Sequence, residues 1–301
     1  MKALRTLQVG LVLLLAFVAL VWAKDATNGV SATATKHSAW KVQGEKCSVY
    51  LLGSVHVLKE EHYPLPAVFE RAFSNASLVV FETDIGTMMK PETQMQLMSK
   101  AQLPEEKTLK DVVSEKTYAA LALHLKDSGM SEATVARFKP GFAVMMLAML
   151  ELQKEGYDPE AGMDIYFYKR TSKAGKMVRG LESLDFQMNL ICDLSSAEGE
   201  AMMKSTLKDL KEAKTKFAEL IKAWQTGDSA SLEKLLNEAQ KEDAAIMKKF
   251  LTDRNLKWAP QIEELAKGTN NAVVIVGAGH LVGKDGVVEL LRQKGYKVSQ
   301  E

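Results

Sequence analysis

The chain has 301 residues, 47% hydrophobic and 26% charged, which suits one large or two small globular domains with an ample core. Its 39 Lys and Arg balance 38 Asp and Glu, so no bulk charge argues for nucleic acid or an anionic membrane surface as partner. Two cysteines, Cys47 and Cys192, are too few for a disulfide framework; they either pair or act as small buried apolar side chains.

The chain opens with Lys2 and Arg5, then an apolar run from Val9 to Trp22, then Val21-Trp22-Ala23 with small residues at −3 and −1. This layout predicts a secretory signal peptide over residues 1–23, too short in its apolar part for a membrane span. Export follows as the expectation, to a periplasm or to the extracellular space, with no membrane span left after cleavage. Residues 24–37 are small and polar and read as a flexible lead-in to a domain over 38–299.

Residues 38–44 and 46–53 read as a hairpin. The second strand ends at Gly53, and His56 follows. Tyr63-Pro-Leu-Pro66 opens a helix carrying Val68, Phe69, Ala72 and Phe73 at helical spacing. Ser77-Leu-Val-Val-Phe81 is a continuous apolar run of the kind buried on both faces of a parallel sheet, and it ends at Glu82-Thr83-Asp84. Residues 47–84 thus read as strand, helix, strand. From about 88 to 268 the chain is mostly helical. Phe142–Leu152 is apolar on nearly every side, which predicts a buried core helix. Gly162-Met-Asp164 starts another helix, Lys176–Leu181 is a short strand closed by Glu182, and two or three long amphipathic helices fill 195–267. The end repeats the beginning: strand 271–276, Gly277-Ala-Gly-His280, a helix over 285–294 and a strand 296–299. The expected fold is α/β, with a mixed, largely parallel central sheet formed by the two chain ends and a large, mostly helical middle region.

Ligands in open α/β sheets bind beyond the C-terminal ends of the strands. Four strands here end in His56, Glu82 with Asp84, Glu182, and His280. Two histidines and a carboxylate match the ligands of a catalytic divalent metal such as zinc. A glycine three residues before each histidine, Gly53 and Gly277, lets the chain turn off the strand and brings backbone N–H groups near a bound group. His37, His62 and His124 lack this context and read as surface residues. Gly277-Ala-Gly279 resembles a dinucleotide loop, but its third glycine is one position late and no acidic residue closes the following strand. There is no His-Glu-x-x-His, P-loop or Gly-x-Ser-x-Gly elbow.

In order, Leu52-Gly-Ser-Val-His56, Tyr63-Pro-Leu-Pro66, Val79-Val-Phe-Glu82-Thr-Asp84, Gly162-Met-Asp164, Gly180-Leu-Glu182-Ser-Leu-Asp-Phe-Gln187, Trp224-Gln-Thr-Gly-Asp228, Asp253-Arg254-Asn255-Leu-Lys-Trp258 and Val276-Gly-Ala-Gly-His280-Leu-Val-Gly283 resemble the TraB/GumN family. Its wider relatives include the Tiki metalloproteases, erythromycin esterase and a haem-binding lipoprotein. The Tiki resemblance implies a divalent metal (zinc, manganese or cobalt) on His56, Glu82 and His280. Asp164, Glu182, Gln187 and Arg254 would then support the ligands or touch substrate, as would Gly53, Gly277 and Gly279. The reading that follows is a metal-dependent hydrolase, a peptidase first, with Asp84 or Glu182 as general base. Arg254 would hold a substrate carboxylate or an oxyanion, or only a salt bridge. Two rivals stand beside it. One is a non-catalytic protein that sequesters peptide, or haem or iron through Tyr63 or Tyr166. The other is a metal-independent esterase that activates water with a His–Glu pair. The substrate is a peptide or small molecule in either hydrolase.

Overall fold

The computed structural model describes residues 36–210 and 213–301. The leader read over 1–23 and nearly all of the lead-in lie outside the described residues. Six strands, β1 (Ala39–Gln43), β2 (Ser48–Ser54), β3 (Leu78–Phe81), β4 (Met177–Gly180), β5 (Ala272–Gly277) and β6 (Lys297–Gln300), form one sheet ordered β4-β3-β5-β2-β1-β6. β5 is parallel to both β2 and β3, and β3 is parallel to β4. β1 is antiparallel to β2 and to β6, so it alone runs against the others.

This is the mixed, largely parallel α/β sheet expected from the two chain ends, with one amendment: the helical middle region supplies the edge strand β4. β5 explains the connection. Its six residues are all buried, the mark of a strand covered on both faces. It slots between β2 and β3, so the crossover through the Ala67–Asn75 helix spans one intervening strand. The final crossover, through the Val287–Gln293 helix, spans two. Four adjacent parallel strands therefore end on one edge of the sheet, at Ser54, Phe81, Gly180 and Gly277.

The Pro140–Lys154 helix is buried along most of its length because it separates two cores. Phe142, Met145, Ala148, Met149 and Leu152 belong to the sheet-side core. Ala143, Val144, Met146 and Leu147 face a second cluster with Leu121 and Leu125 of the Glu115–Asp127 helix and Met202 and Met203 of the Ser196–Asp209 helix. An amphipathic sequence would strand one of these faces.

Residues 195–267 hold more helices than the two or three expected: Ser196–Asp209, Ala213–Gln225, Ser229–Glu242, Ala244–Met247 and Asp253–Ala266, with a π-helical turn at Lys248–Thr252. The side chains of Ser195, Asp228 and Asp243 accept the N–H groups that open three of them. Both cysteines are free and buried, so the pairing left open from sequence does not form. Burial pushes both thiols up, Cys192 to about 11, which favours the un-ionised form. His37, His62 and His124 are half-buried, not exposed as expected. His62 Nδ1 accepts the Lys59 N–H at 2.9 Å, and His124 lies 3.4 Å from Glu151. No helix of the described residues is long and apolar enough to cross a membrane.

Candidate active site

The two histidine loops, more than 220 residues apart in sequence, meet at Glu82. His56 Nε2 is 3.8 Å and His280 Nε2 is 3.9 Å from the same oxygen, Glu82 Oε1. The two imidazole nitrogens are therefore less than about 8 Å apart and approach the same carboxylate oxygen. Glu82 leaves the end of β3 with almost no exposure, and its Oε1 also accepts the Gly277 N–H at 2.8 Å. The glycine that turns the chain off β5 thus orients the carboxylate, not a bound substrate.

Each imidazole is held from behind. Asp164 Oδ2 lies 2.7 Å from His56 Nδ1, and Ser54 Oγ donates to the other Asp164 oxygen at 3.2 Å. Asn255 Oδ1 lies 2.6 Å from His280 Nδ1, and the Asn255 amide is fixed by donating to Asp285 O at 2.9 Å. An amide oxygen only accepts, so His280 carries its proton on Nδ1 and presents a bare Nε2. Asp164 imposes the same tautomer on neutral His56. Gly162 makes the Asp164 contact possible: a Cβ there would lie 2.1 Å from His56 O, so only glycine lets the helix bearing Asp164 approach the histidine loop.

Arg254 sits at the centre, fully buried. Its guanidinium donates to Glu82 Oε2 at 2.5 Å, to Glu182 Oε1 at 2.6 and 2.9 Å, and to Phe250 O at 3.1 Å. Nη1 also lies 3.1 Å from His280 Nε2. Glu182 accepts further bonds from Trp258 Nε1 at 3.0 Å and Gln187 Nε2 at 2.9 Å. Trp258, one turn after Arg254, lies under the guanidinium and packs at a tilt of 42° against the His280 ring, centroids 4.4 Å apart.

Burial works to raise Glu82, but Arg254, the histidines and the Gly277 N–H outweigh it and hold the carboxyl down at about 2. Burial, with Arg254 beside it, holds His280 down to about 3, so it is neutral. Burial lowers His56 too, but the Asp164 and Glu82 carboxylates overcome it and leave the net shift upward. Burial keeps Glu182 above the usual carboxylate range in spite of Arg254. These shifts set the acid response. Glu82 and His280 have depressed folded values, so their stabilisation is complete above the unfolded values of 4.5 and 6.5 and is lost as pH falls toward 2 and 3. His56, shifted the other way, contributes below 6.5 and loses that contribution as pH rises through its higher folded value. Urea midpoints of chelator-treated protein should therefore start to fall below about pH 6.5, before ordinary carboxylates titrate. A midpoint flat from pH 7 to 5 would contradict the buried neutral His280.

The structure thus gathers His56, Glu82, Asp164, Glu182, Gln187, Arg254 and His280. It does not bring in Asp84, which is exposed and caps the Ile85–Met88 helix by accepting from Thr87 N at 3.1 Å and Oγ1 at 2.7 Å. Burial works to raise it, but those hydrogen bonds outweigh burial and hold the carboxyl below the usual range, which makes it a weak base. Gly53 serves the fold: its N–H donates to Ser38 O and its carbonyl accepts from Trp224 Nε1. Gly279 packs under Leu236. The Tyr63 and Tyr166 hydroxyls, considered as haem ligands, donate to Ala161 O and Glu70. Asn255, Trp258 and Ser54 were not picked out as site residues from sequence. Asn255 and Trp258 share the helix of Arg254, and a π-helical turn directly before it is the one local signal of a functional bend.

As they stand, no three His, Cys, Asp or Glu side chains among the described residues are grouped so as to hold a metal ion. The donors nonetheless fit a divalent ion in kind: two imidazoles with Nε2 bare and a carboxylate oxygen between them. Two ligands of one tetrahedral ion at about 2 Å stand roughly 3.4 Å apart, so each His–Glu82 distance is long by about half an ångström. His56 Nε2 is buried without a hydrogen-bond partner, while Arg254 Nη1 on His280 Nε2 and the Gly277 N–H on Glu82 Oε1 would compete with an ion.

A family model described as TraB/PrgY/gumN matches residues 38–300. Among curated proteins, "Uncharacterized protein YbaP" of Escherichia coli is 24% identical over 81% of this chain and 87% of its own length. An "Uncharacterized protein" of Treponema pallidum is 20% identical over 85% of this chain and 80% of its own. "Metalloprotease TIKI2" of Xenopus tropicalis is 23% identical over 83% of this chain and 57% of its own. No solved structure matches.

Proposed function

Because the chain belongs to the TraB/PrgY/gumN family, we propose that it is an exported, metal-dependent hydrolase that cleaves peptide bonds. The observation that carries this reading is the convergence of both histidine Nε2 atoms on Glu82 Oε1. The TIKI2 relatives, named as metalloproteases, support it, and the leader-like start of the sequence supports export, to a periplasm in the first instance.

His56, Glu82 and His280 would hold the ion, which when bound supplies a Lewis acid and lowers the pKa of water. The chain's own groups do the rest. Asp164 and Asn255 keep the Nδ1 protons in place, so both Nε2 atoms stay available. With His280 Nε2 committed as a ligand, the Arg254 Nη1–H that now lies 3.1 Å from it would be free to donate to a developing oxyanion. Glu182, held above the usual carboxylate range by burial, is the carboxyl best able to accept a proton.

Elemental analysis and a peptide-library screen, each with and without chelator, test this. Expected are about one divalent ion per chain, loss of cleavage on chelation, and recovery with zinc, manganese or cobalt. A chain that takes up no ion, and whose His56→Ala and His280→Ala forms match wild type, sinks the proposal. The Asp164–His56 pair favours a second reading, since its bare Nε2 is a base in its own right. Cleavage that is indifferent to chelator selects it.

A further inference from the structure

A small cavity lies against Glu82, between His56, Thr83 and Gln187. It gives a water-sized sphere about 10 Å³ in which to place its centre, close to the minimum for one water molecule. Three of its lining residues carry a buried polar atom with no partner: His56 Nε2, Thr83 Oγ1 and Gln187 Oε1. The residues are only 7%, 3% and 1% exposed, so bulk solvent does not satisfy those atoms. Buried polar groups are almost always paired, and three unpaired ones around one cavity indicate a shared occupant.

Their chemistry specifies it. Gln187 Nε2 donates to Glu182 at 2.9 Å and toward Glu82 at 3.4 Å, which fixes the amide and leaves Oε1 as a pure acceptor. Neutral His56, with Nδ1–H turned to Asp164, presents Nε2 as a second acceptor. The Thr83 hydroxyl is the one group of the three able to donate. Two acceptors and one donor complement a molecule with two O–H bonds and a lone pair. The second lone pair of that molecule stays uncommitted.

We propose that Thr83 and Gln187 position the water consumed in hydrolysis. In the ion-free protein His56 Nε2 is the third contact, and Thr83 and Gln187 are the two that remain when His56 is committed as a ligand. The inference rests on the hydrolase reading and adds to it the residues that aim the nucleophile. In the reaction the water oxygen bonds to the acyl carbon as the C–N bond breaks. One of its protons ends on the leaving amine and the other stays on the new carboxyl group. Thr83 and Gln187 exchange no proton; they fix where the oxygen stands. Thr83 lies between the carboxylates Glu82 and Asp84, and its role comes from position alone.

Atomic-resolution crystallography and steady-state kinetics of wild type, Thr83→Val and Thr83→Ser test the assignment. Valine keeps the shape and removes the hydroxyl, while serine keeps the hydroxyl. In ion-free crystals wild type and Thr83→Ser should show one ordered solvent peak within hydrogen-bond distance of Oγ, Gln187 Oε1 and His56 Nε2, in ion-loaded crystals one within reach of Oγ and Gln187 Oε1, and Thr83→Val should lose both. Thr83→Val should lose about 10- to 100-fold in kcat with little change in KM, and Thr83→Ser should recover most of it. No peak in wild type overturns the cradle and leaves the hydrolase reading standing. A peak lost in Thr83→Val with kcat unchanged makes the water structural and overturns its catalytic role. A peak in a protein that cleaves no peptide overturns the hydrolase reading and the water's catalytic role together.

Discussion

An Arg254→Met protein is expected to lose about 3–5 kcal/mol of folding free energy in urea unfolding. Methionine comes close to the aliphatic part of arginine in volume, so the loss is not mainly a cavity. Arg254 is completely buried and is the cation between Glu82 and Glu182, whose side chains are each only 8% exposed. Removing it leaves two carboxylates facing each other away from water. Glu182, already held up by burial, will take a proton first, which limits the cost but does not cancel it. The Phe250 carbonyl and the Trp258 ring lose a partner as well. Arg254→Lys should be intermediate: a lysine keeps the charge but cannot bond two carboxylates, a carbonyl and an imidazole at once. A loss below about 1 kcal/mol for Arg254→Met would show that the guanidinium is not the counter-ion of this site. The same variant bears on the ion. With Nη1 gone from His280, a divalent ion should raise the melting temperature of Arg254→Met more than that of wild type. Equal shifts would mean that Arg254 and the ion do not compete.

The strand ends were legible in the sequence because each apolar run stops at a charged or imidazole residue. Such a residue cannot extend a buried strand, so Phe81-Glu82 and Gly277-Ala-Gly-His280 read as edges of a sheet. The insertion of β5 between β2 and β3 was not legible. Strand order is a non-local choice, and nothing in residues 47–84 announces a missing partner. Nor was the role of Asp84 legible, since an acidic residue after a strand serves equally as a site carboxylate or as a helix cap. Only the Thr87 contacts decide. Asn255 was hidden beside Arg254 for a related reason. Its value lies in which histidine nitrogen it faces, and that depends on how the Asp253–Ala266 helix meets the loop after β5. Arg254 itself was legible as a motif residue. That it reaches both carboxylates and His280 follows only once the chain ends are joined in the sheet.

The His56 series separates ligand from support. His56→Gln removes the unpartnered Nε2 and should lower hydrolysis by at least about 100-fold at neutral pH. Asp164→Asn is the subtler change. It keeps size and burial, but an asparagine amide can turn its N–H toward Nδ1, which favours the other tautomer and places a proton on Nε2. That proton blocks either role, ligand or base. About 10- to 100-fold in ion affinity should be lost, with activity falling in parallel. Because Asp164 works to raise His56, the variant should also shift the acid limb of the pH–rate profile to lower pH. Ser54 donates to the other Asp164 oxygen, so Ser54→Ala should reproduce the shift weakly, by loosening the carboxylate without exchanging it. Ion affinity by competition with a chromophoric chelator and the pH profile of kcat/KM distinguish the cases. An Asp164→Asn protein that binds ion normally and keeps its pH profile would mean that the 2.7 Å contact does not set the tautomer. His56 would then need another explanation for its bare nitrogen.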